Sequence, residues 1–202
     1  MNQRIAELIE RIRILQDELE AEFACRRAEL RFHFENRRVR FEREVLRRHR
    51  QLKTGLLRYL IDARLSHLLS APVIYGMIVP LLVLDIGISF YQMVCFPIYG
   101  IPKVRREDYF VYDREQLPYL NLIEKLNCGY CTYGNGLIAY VREIVARTEQ
   151  YWCPIKHARR VAGSHGRYAN YVDYGDAEAY HAELEKLRKD WQTSQEQRPP
   201  EI

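Results

Sequence analysis

No proline occurs before Pro72, and Gly55 is the only glycine before Gly76. The first third of the chain therefore holds almost none of the residues that end a helix. A second absence follows. From Leu65 through Pro102 there is no lysine or arginine, and Asp85 is the only acid. That excludes an ordinary solvated stretch. A third absence concerns chemistry. The sequence has no P-loop, no dinucleotide-binding glycine fingerprint, no HExxH and no nucleophile elbow, which removes the best-marked enzyme classes. A non-enzymatic role is the expectation. The N-terminus, MNQRIAELIERI, is amphipathic and charged and is read as lacking the shape of a signal peptide.

What is present is unevenly distributed. The chain has 202 residues, 48% of them apolar and 29% charged, so it is neither disordered nor polytopic in composition. Residues 1–66 hold 16 Lys/Arg against 11 Asp/Glu, whereas residues 103–202 hold 15 of each. The excess positive charge thus sits just ahead of the apolar run. Cysteine is sparse and odd in number: Cys25, Cys95, Cys128, Cys131 and Cys153. Such a set suits a reducing compartment and a metal or redox site better than a secreted disulfide framework.

The fold class expected is mainly α, in four parts. Residues 1–66 read as one long basic helix. Leu8, Ile12, Leu19, Phe23, Leu30, Phe34, Phe41, Val45, Leu52 and Leu56 alternate steps of four and seven, an 11-residue (hendecad) repeat. That period is close to the natural helix and winds little. At ~1.5 Å per residue the stripe would run about 73 Å. A helix of that length needs a partner, and the same helix in a second copy is the simplest, giving a homo-oligomeric coiled coil. The alternative is an amphipathic helix lying on a membrane.

Within it, residues 37–58 carry nine Lys/Arg against Glu42 and Glu44. Arg37, Arg38, Arg40, Arg43, Arg47, Arg48, Arg50 and Lys53 form a candidate patch for anionic lipid headgroups, at roughly 1 kcal/mol per basic residue near the surface. Nucleic acid is the weaker reading, because the run leads straight into the apolar segment.

Residues 67–102 form the expected membrane element. A single span requires about 20 apolar residues, and there are enough. Asp85 near the middle costs about 2.5–3.5 kcal/mol on insertion scales, so it is a candidate functional residue. Basic residues flank both ends: Arg58 and Arg64 before, Lys103, Arg105 and Arg106 after. The positive-inside tendency would keep both flanks in the cytoplasm. A re-entrant hairpin bending near Pro80–Gly87 satisfies that; a single tilted span is the alternative.

Residues 103–191 read as a small helical Cys/His domain, and 192–202 as a disordered tail. In the domain, 117–127 and 137–152 read as helices separated by a glycine-rich loop, CGYCTYGNG, with Ile138, Val141, Val145 and Thr148 on one face of the second. Asp176 is a plausible N-cap for a last helix over 176–191.

The strongest chemical constellation is Cys128-x2-Cys131, then 21 residues, then Cys153-Pro-x2-His157. Two thiolates two residues apart on a turn can hold one metal, and the spacing resembles paired-cysteine zinc sites, with C-x3-H as the second half. Zinc bound by Cys128, Cys131, Cys153 and His157 is the leading expectation. Iron or an iron–sulfur cluster, a thiol redox pair, and no metal at all are the alternatives. A ~24 Å helix between the two halves is the difficulty, unless the chain folds back or a second subunit contributes. The sum is a membrane-anchored oligomeric scaffold that binds a protein partner, or else a redox metalloprotein exchanging electrons with a membrane carrier.

Overall fold

The computed structural model describes residues 3–29, 32–35 and 38–191 of the chain. It is mainly helical, and it divides into two compact units, residues 1–60 with 113–125, and residues 61–112 with 126–202. The expected 192–202 tail lies outside the described residues.

The first unit opens with α1 (Gln3–Glu29), about 40 Å long at ~1.5 Å per residue. The long helix stops there. A short antiparallel hairpin follows, β1 (Phe32–Glu35) and β2 (Arg38–Phe41), pairing Phe32 with Phe41 and Phe34 with Val39. Phe34 and Phe41 belong to two patterns at once. They fit the 11-residue helical repeat, but Phe32, Phe34, Val39 and Phe41 also alternate at two-residue steps. Aromatic and β-branched residues favour the pleated strand, and that period prevails here. Helices α2 (Arg43–Gln51) and α3 (Leu56–Ile61) complete the run. The expected 73 Å stripe is therefore divided among separate elements. Leu8, Ile12, Leu19 and Phe23 stay on α1, each about half exposed. Leu30 lies outside the described residues.

The second unit is built on two long helices. Helix α4 (Leu65–Gly76) passes through the single residue Met77 into α5 (Ile78–Tyr99). Pro80 explains the break. It has no N–H to return to the Gly76 carbonyl, and it sits in the first turn of α5, where that loss is tolerated. The bend expected between Pro80 and Gly87 is absent, because α5 runs unbroken through both. Gly100, at φ 67°, ends α5 in the left-handed conformation. Ile101 N then donates to Phe96 O at 2.9 Å and Gly100 N to Pro97 O at 3.4 Å, the pattern of a glycine-terminated helix.

Helix α6 (Leu122–Trp152) is a second correction. The glycine-rich stretch 128–136 is helix rather than loop. Its start is set by a reciprocal cap: Glu124 N donates to Asn121 Oδ1 at 3.0 Å, and Asn121 N to Glu124 Oε2 at 2.8 Å. Gly136 is required by packing. A Cβ there would stand 2.6 Å from Tyr109 O and 3.2 Å from Phe110 Cδ1. Asn135 stays in the helix by donating its side-chain amide to Cys131 O at 2.9 Å.

The core of this unit is Phe96, Ile101, Val104, Leu137, Tyr140 and Ile144, with Leu81, Ile88, Tyr133 and Phe110 packed against it. The buried stripe of α6 is thus Tyr133, Leu137, Tyr140 and Ile144. Ile138 and Val145, on another face of α6, are about half exposed. After α6, a single bridge joins Ile155 to Val172. Helix α7 (Ala177–Lys189) is capped by Asp176, whose carboxylate accepts from Ala179 N at 2.9 Å, as the sequence suggests.

Candidate functional site

Contacts fix the direction of the two long helices. Tyr130 donates to Ile74 O at 2.6 Å, Tyr133 donates to Asp85, Gln92 Nε2 donates to the Tyr140 hydroxyl at 2.9 Å, and Tyr99 meets Tyr151 with ring centres 5.3 Å apart. Residue numbers rise together, so α6 runs alongside α4–α5 in the same direction. The chain must return between them. Residues 101–110 do so as a strap laid back along α5. Val104 N donates to Gln92 Oε1 at 2.7 Å, and Arg106 reaches Asp85.

Asp85 is the centre of this arrangement. It is only 8% exposed. Arg106 Nη2 donates to its Oδ2 at 2.6 Å, and Nη1 donates to its Oδ1. Tyr133 Oη donates to Oδ2 at 2.9 Å, with a long contact from Ser89. The guanidinium also lies 4.2 Å from the centre of the Phe110 ring. A carboxylate in an apolar helix is thereby neutralised by a fork-shaped cation and a phenol. Burial, and then the bond to Asp85, pushes the Tyr133 phenol up to about 12, so it remains a donor well above neutral pH.

One flank of α5 is consequently polar and packed. The other is apolar and open. Val79, Leu82, Val83, Ile86, Phe90, Met93 and Ile98 are all 46–71% exposed. The run Leu65–Tyr99 is 35 residues with a hydropathy of 2.2 in its most apolar stretch, long and apolar enough to cross a membrane.

The cysteine constellation does not assemble. Cys128 and Cys131 lie on α6, half-buried and exposed respectively, and Cys153 follows the helix end, where its N–H bonds Glu149 O at 2.8 Å. Between Cys131 and Cys153 lie 22 residue steps of near-continuous helix, about 33 Å at ~1.5 Å each. Among the described residues no group of three or more His, Cys, Asp or Glu is placed to hold a metal ion. His157 packs against Tyr168: its backbone N–H donates to Tyr168 Oη at 2.7 Å and its ring stacks on that tyrosine. Desolvation and the nearby Glu149 push the Cys153 thiol up. One chain therefore cannot close Cys128, Cys131, Cys153 and His157 around one ion, and the loop that was to aim the first pair is a helix.

The basic patch is likewise spread over elements. Arg38 and Arg40 are on β2, while Arg43, Arg47, Arg48 and Arg50 stand exposed on α2 and Lys53 just beyond it. Arg37 lies outside the described residues.

A second polar cluster was not anticipated as buried. Arg167, 5% exposed, donates to Glu143 Oε1 at 2.7 Å and to Gln150 Oε1 at 2.7 Å. His165 Nε2 meets Glu149 Oε2 at 2.8 Å. These bonds tie the loop 163–171 to α6, leaving the buried Nδ1 of His165 without a partner. Arg106 and Gln92 were also missed. The available signal was the polar line Asp85, Ser89, Gln92 at steps of four and three on one face of α5.

No protein-family model, no curated protein and no solved structure matches this chain.

Proposed function

We propose that the protein is a non-enzymatic, membrane-attached scaffold that self-associates and presents its helical units to a protein partner on the cytoplasmic side. The observation that carries this reading is the open flank of α5, an unbroken apolar surface on a helix whose opposite flank is fully engaged by polar and core contacts. Large contiguous apolar surface of this kind is rare on monomeric soluble chains and marks a lipid or protein interface.

Two features support the remaining parts. Helix α1 carries Leu8, Ile12, Leu15, Leu19 and Phe23 exposed along it, and an isolated helix stripe is stabilised by packing against another. The exposed arginines of α2 supply attraction to anionic headgroups, lost at high salt. A metal is not part of the proposal, since no observation on the fold favours zinc, iron or an iron–sulfur cluster over bare thiols.

The test is co-flotation with vesicles, combined with the mass of the particle in mild detergent. Wild-type protein should float with neutral vesicles, more strongly with anionic ones, and run as an oligomer. Ile12→Asp with Leu19→Asp should reduce it to a monomer that still floats. A wild-type monomer would remove self-association; failure to float with either vesicle would remove the membrane.

A further inference from the structure

The membrane-attachment reading leaves open whether α5 crosses the bilayer or lies in it, and the strap bears on that choice. Asp85 is fourteen residues from Tyr99, so the Asp85–Arg106 pair lies about 21 Å from the end of α5 at ~1.5 Å per residue. The whole of α5 is about 33 Å long on the same scale, close to the ~30 Å hydrocarbon core. If α5 stood upright in a bilayer, Arg106 and its neighbours would be near the midplane. Those neighbours face outward: the Arg105 side chain is 44% exposed and that of Glu107 48%. Arg105 is on extended backbone and Arg106–Asp108 form one isolated 3-10 turn, which lacks the continuous internal backbone pairing that lipid-exposed hydrocarbon demands.

The opposite side of α5 has no such residues, and the charge bordering that side on α6, Glu149, is engaged by His165. Around α5, Val83, Phe90 and Val94 lie about 140–180° from Asp85 at ~100° per residue. Around α6, Ile138, Val145 and Trp152 lie about 160–200° from Gly136, the residue against which Tyr109 of the strap packs. All six are exposed, from 40% at Val94 to 66% at Val83. Trp152, in edge-to-face contact with Tyr99 at 5.2 Å, closes this side at one end, and such rings favour the headgroup level. The apolar arc of α5 covers about half its circumference, wider than the stripe one partner helix covers. Its length and width fit acyl chains.

We infer that α4 and α5 lie in the plane of the membrane, with this apolar side sunk into one leaflet and the strap and the Asp85–Arg106 pair facing water. The inference rests on the proposed membrane attachment and adds the orientation. It describes a surface-bound chain with a broad apolar foot, buried about 5–10 Å into the headgroup and acyl boundary. Lys103, Arg105 and Arg106 are then kept at the aqueous side without crossing.

The experiment is depth-dependent quenching on the full chain. Single fluorescent labels are placed, on a background with the five native cysteines replaced by serine, at Val83, Ile86, Phe90 and Ile98, and at Glu107 on the strap. Vesicles contain lipids brominated at different depths. The in-plane arrangement predicts that all four α5 labels are quenched most by the same shallow bromines, and that the Glu107 label is quenched by aqueous iodide. Depth that varies along the four positions, passing through the midplane, with a protected Glu107 label, would overturn the orientation and leave attachment intact. No lipid quenching at any position would overturn attachment itself. If the cysteine-free background fails to fold, polarised infrared absorption of wild-type protein in oriented bilayers gives the same decision: helix dichroism along the plane supports the inference, and dichroism along the normal contradicts it.

Discussion

The two flanks of α5 differ in a few polar residues and have opposite fates. One, through Leu81, Asp85, Ile88, Gln92 and Phe96, is buried by α6 and the strap; the other, through Leu82, Val83, Ile86, Phe90 and Met93, is open. The difference teaches that an apolar run is not a uniform object. What separates the flanks is a sparse line of polar residues, Asp85, Ser89 and Gln92, each satisfied by a specific partner. Buried polar groups demand hydrogen bonds, so they specify which side meets protein. The open side carries no such demand and is free to meet lipid.

The comparison is broken most severely by emptying the packed side. Phe96 is fully buried, and Phe96→Ala should cost about 3–5 kcal/mol, seen as a lower denaturant midpoint for the second unit. The next largest effect is electrostatic. Arg106→Ala leaves Asp85 buried with only Tyr133 and Ser89. Because the Arg106 side chain is 45% exposed, solvent screens part of the pair, and the expected loss is about 1–3 kcal/mol. Asp85→Asn in the same chain should recover part of it; no recovery would show that the two act independently.

Gly136→Ala probes the strap without altering charge. Its Cβ would collide with a backbone oxygen, so a loss of about 1–3 kcal/mol is expected, and hydrogen exchange should rise across 104–110. The smallest effect is alkaline. The Tyr133 phenol is raised from 10.0 to about 12. The neutral form is favoured by folding, so this contribution is complete below pH 10 and is lost as pH rises through about 12. Tyr133→Phe should flatten that alkaline step and lose about 0.5–1.5 kcal/mol at neutral pH.

Much of this comparison was legible in the sequence, and some was not. The apolar run, its length and the N-cap at Asp176 could be read directly. Two errors share one cause, the reliance on local pattern where tertiary contact decides. Gly134, Asn135 and Gly136 look like a turn, yet a neighbouring backbone needs the missing Cβ at Gly136 and holds the stretch helical. Phe34 and Phe41 fit a helical repeat, yet they lie on the two strands of a hairpin, paired with Val39 and Phe32. The cysteine constellation is held apart for a related reason. Its spacing was judged on a turn at 128–136, and once that turn is helix the two halves are separated along α6. The partner of Asp85 was hidden because Arg106 was treated as a membrane flank, not as a residue the strap could carry back along the helix.

The account stands on the open flank of α5 being a lipid surface. The direct measurement is the partition coefficient of Ile86→Asp with Phe90→Asp between buffer and vesicles, beside wild type, with thermal unfolding of both. Both side chains are more than 60% exposed. The account predicts partitioning reduced more than about tenfold, the equivalent of about 1.4 kcal/mol, with unfolding unchanged. Unchanged partitioning would contradict it, as would a variant that unfolds in the absence of vesicles, since the flank would then be covered by protein.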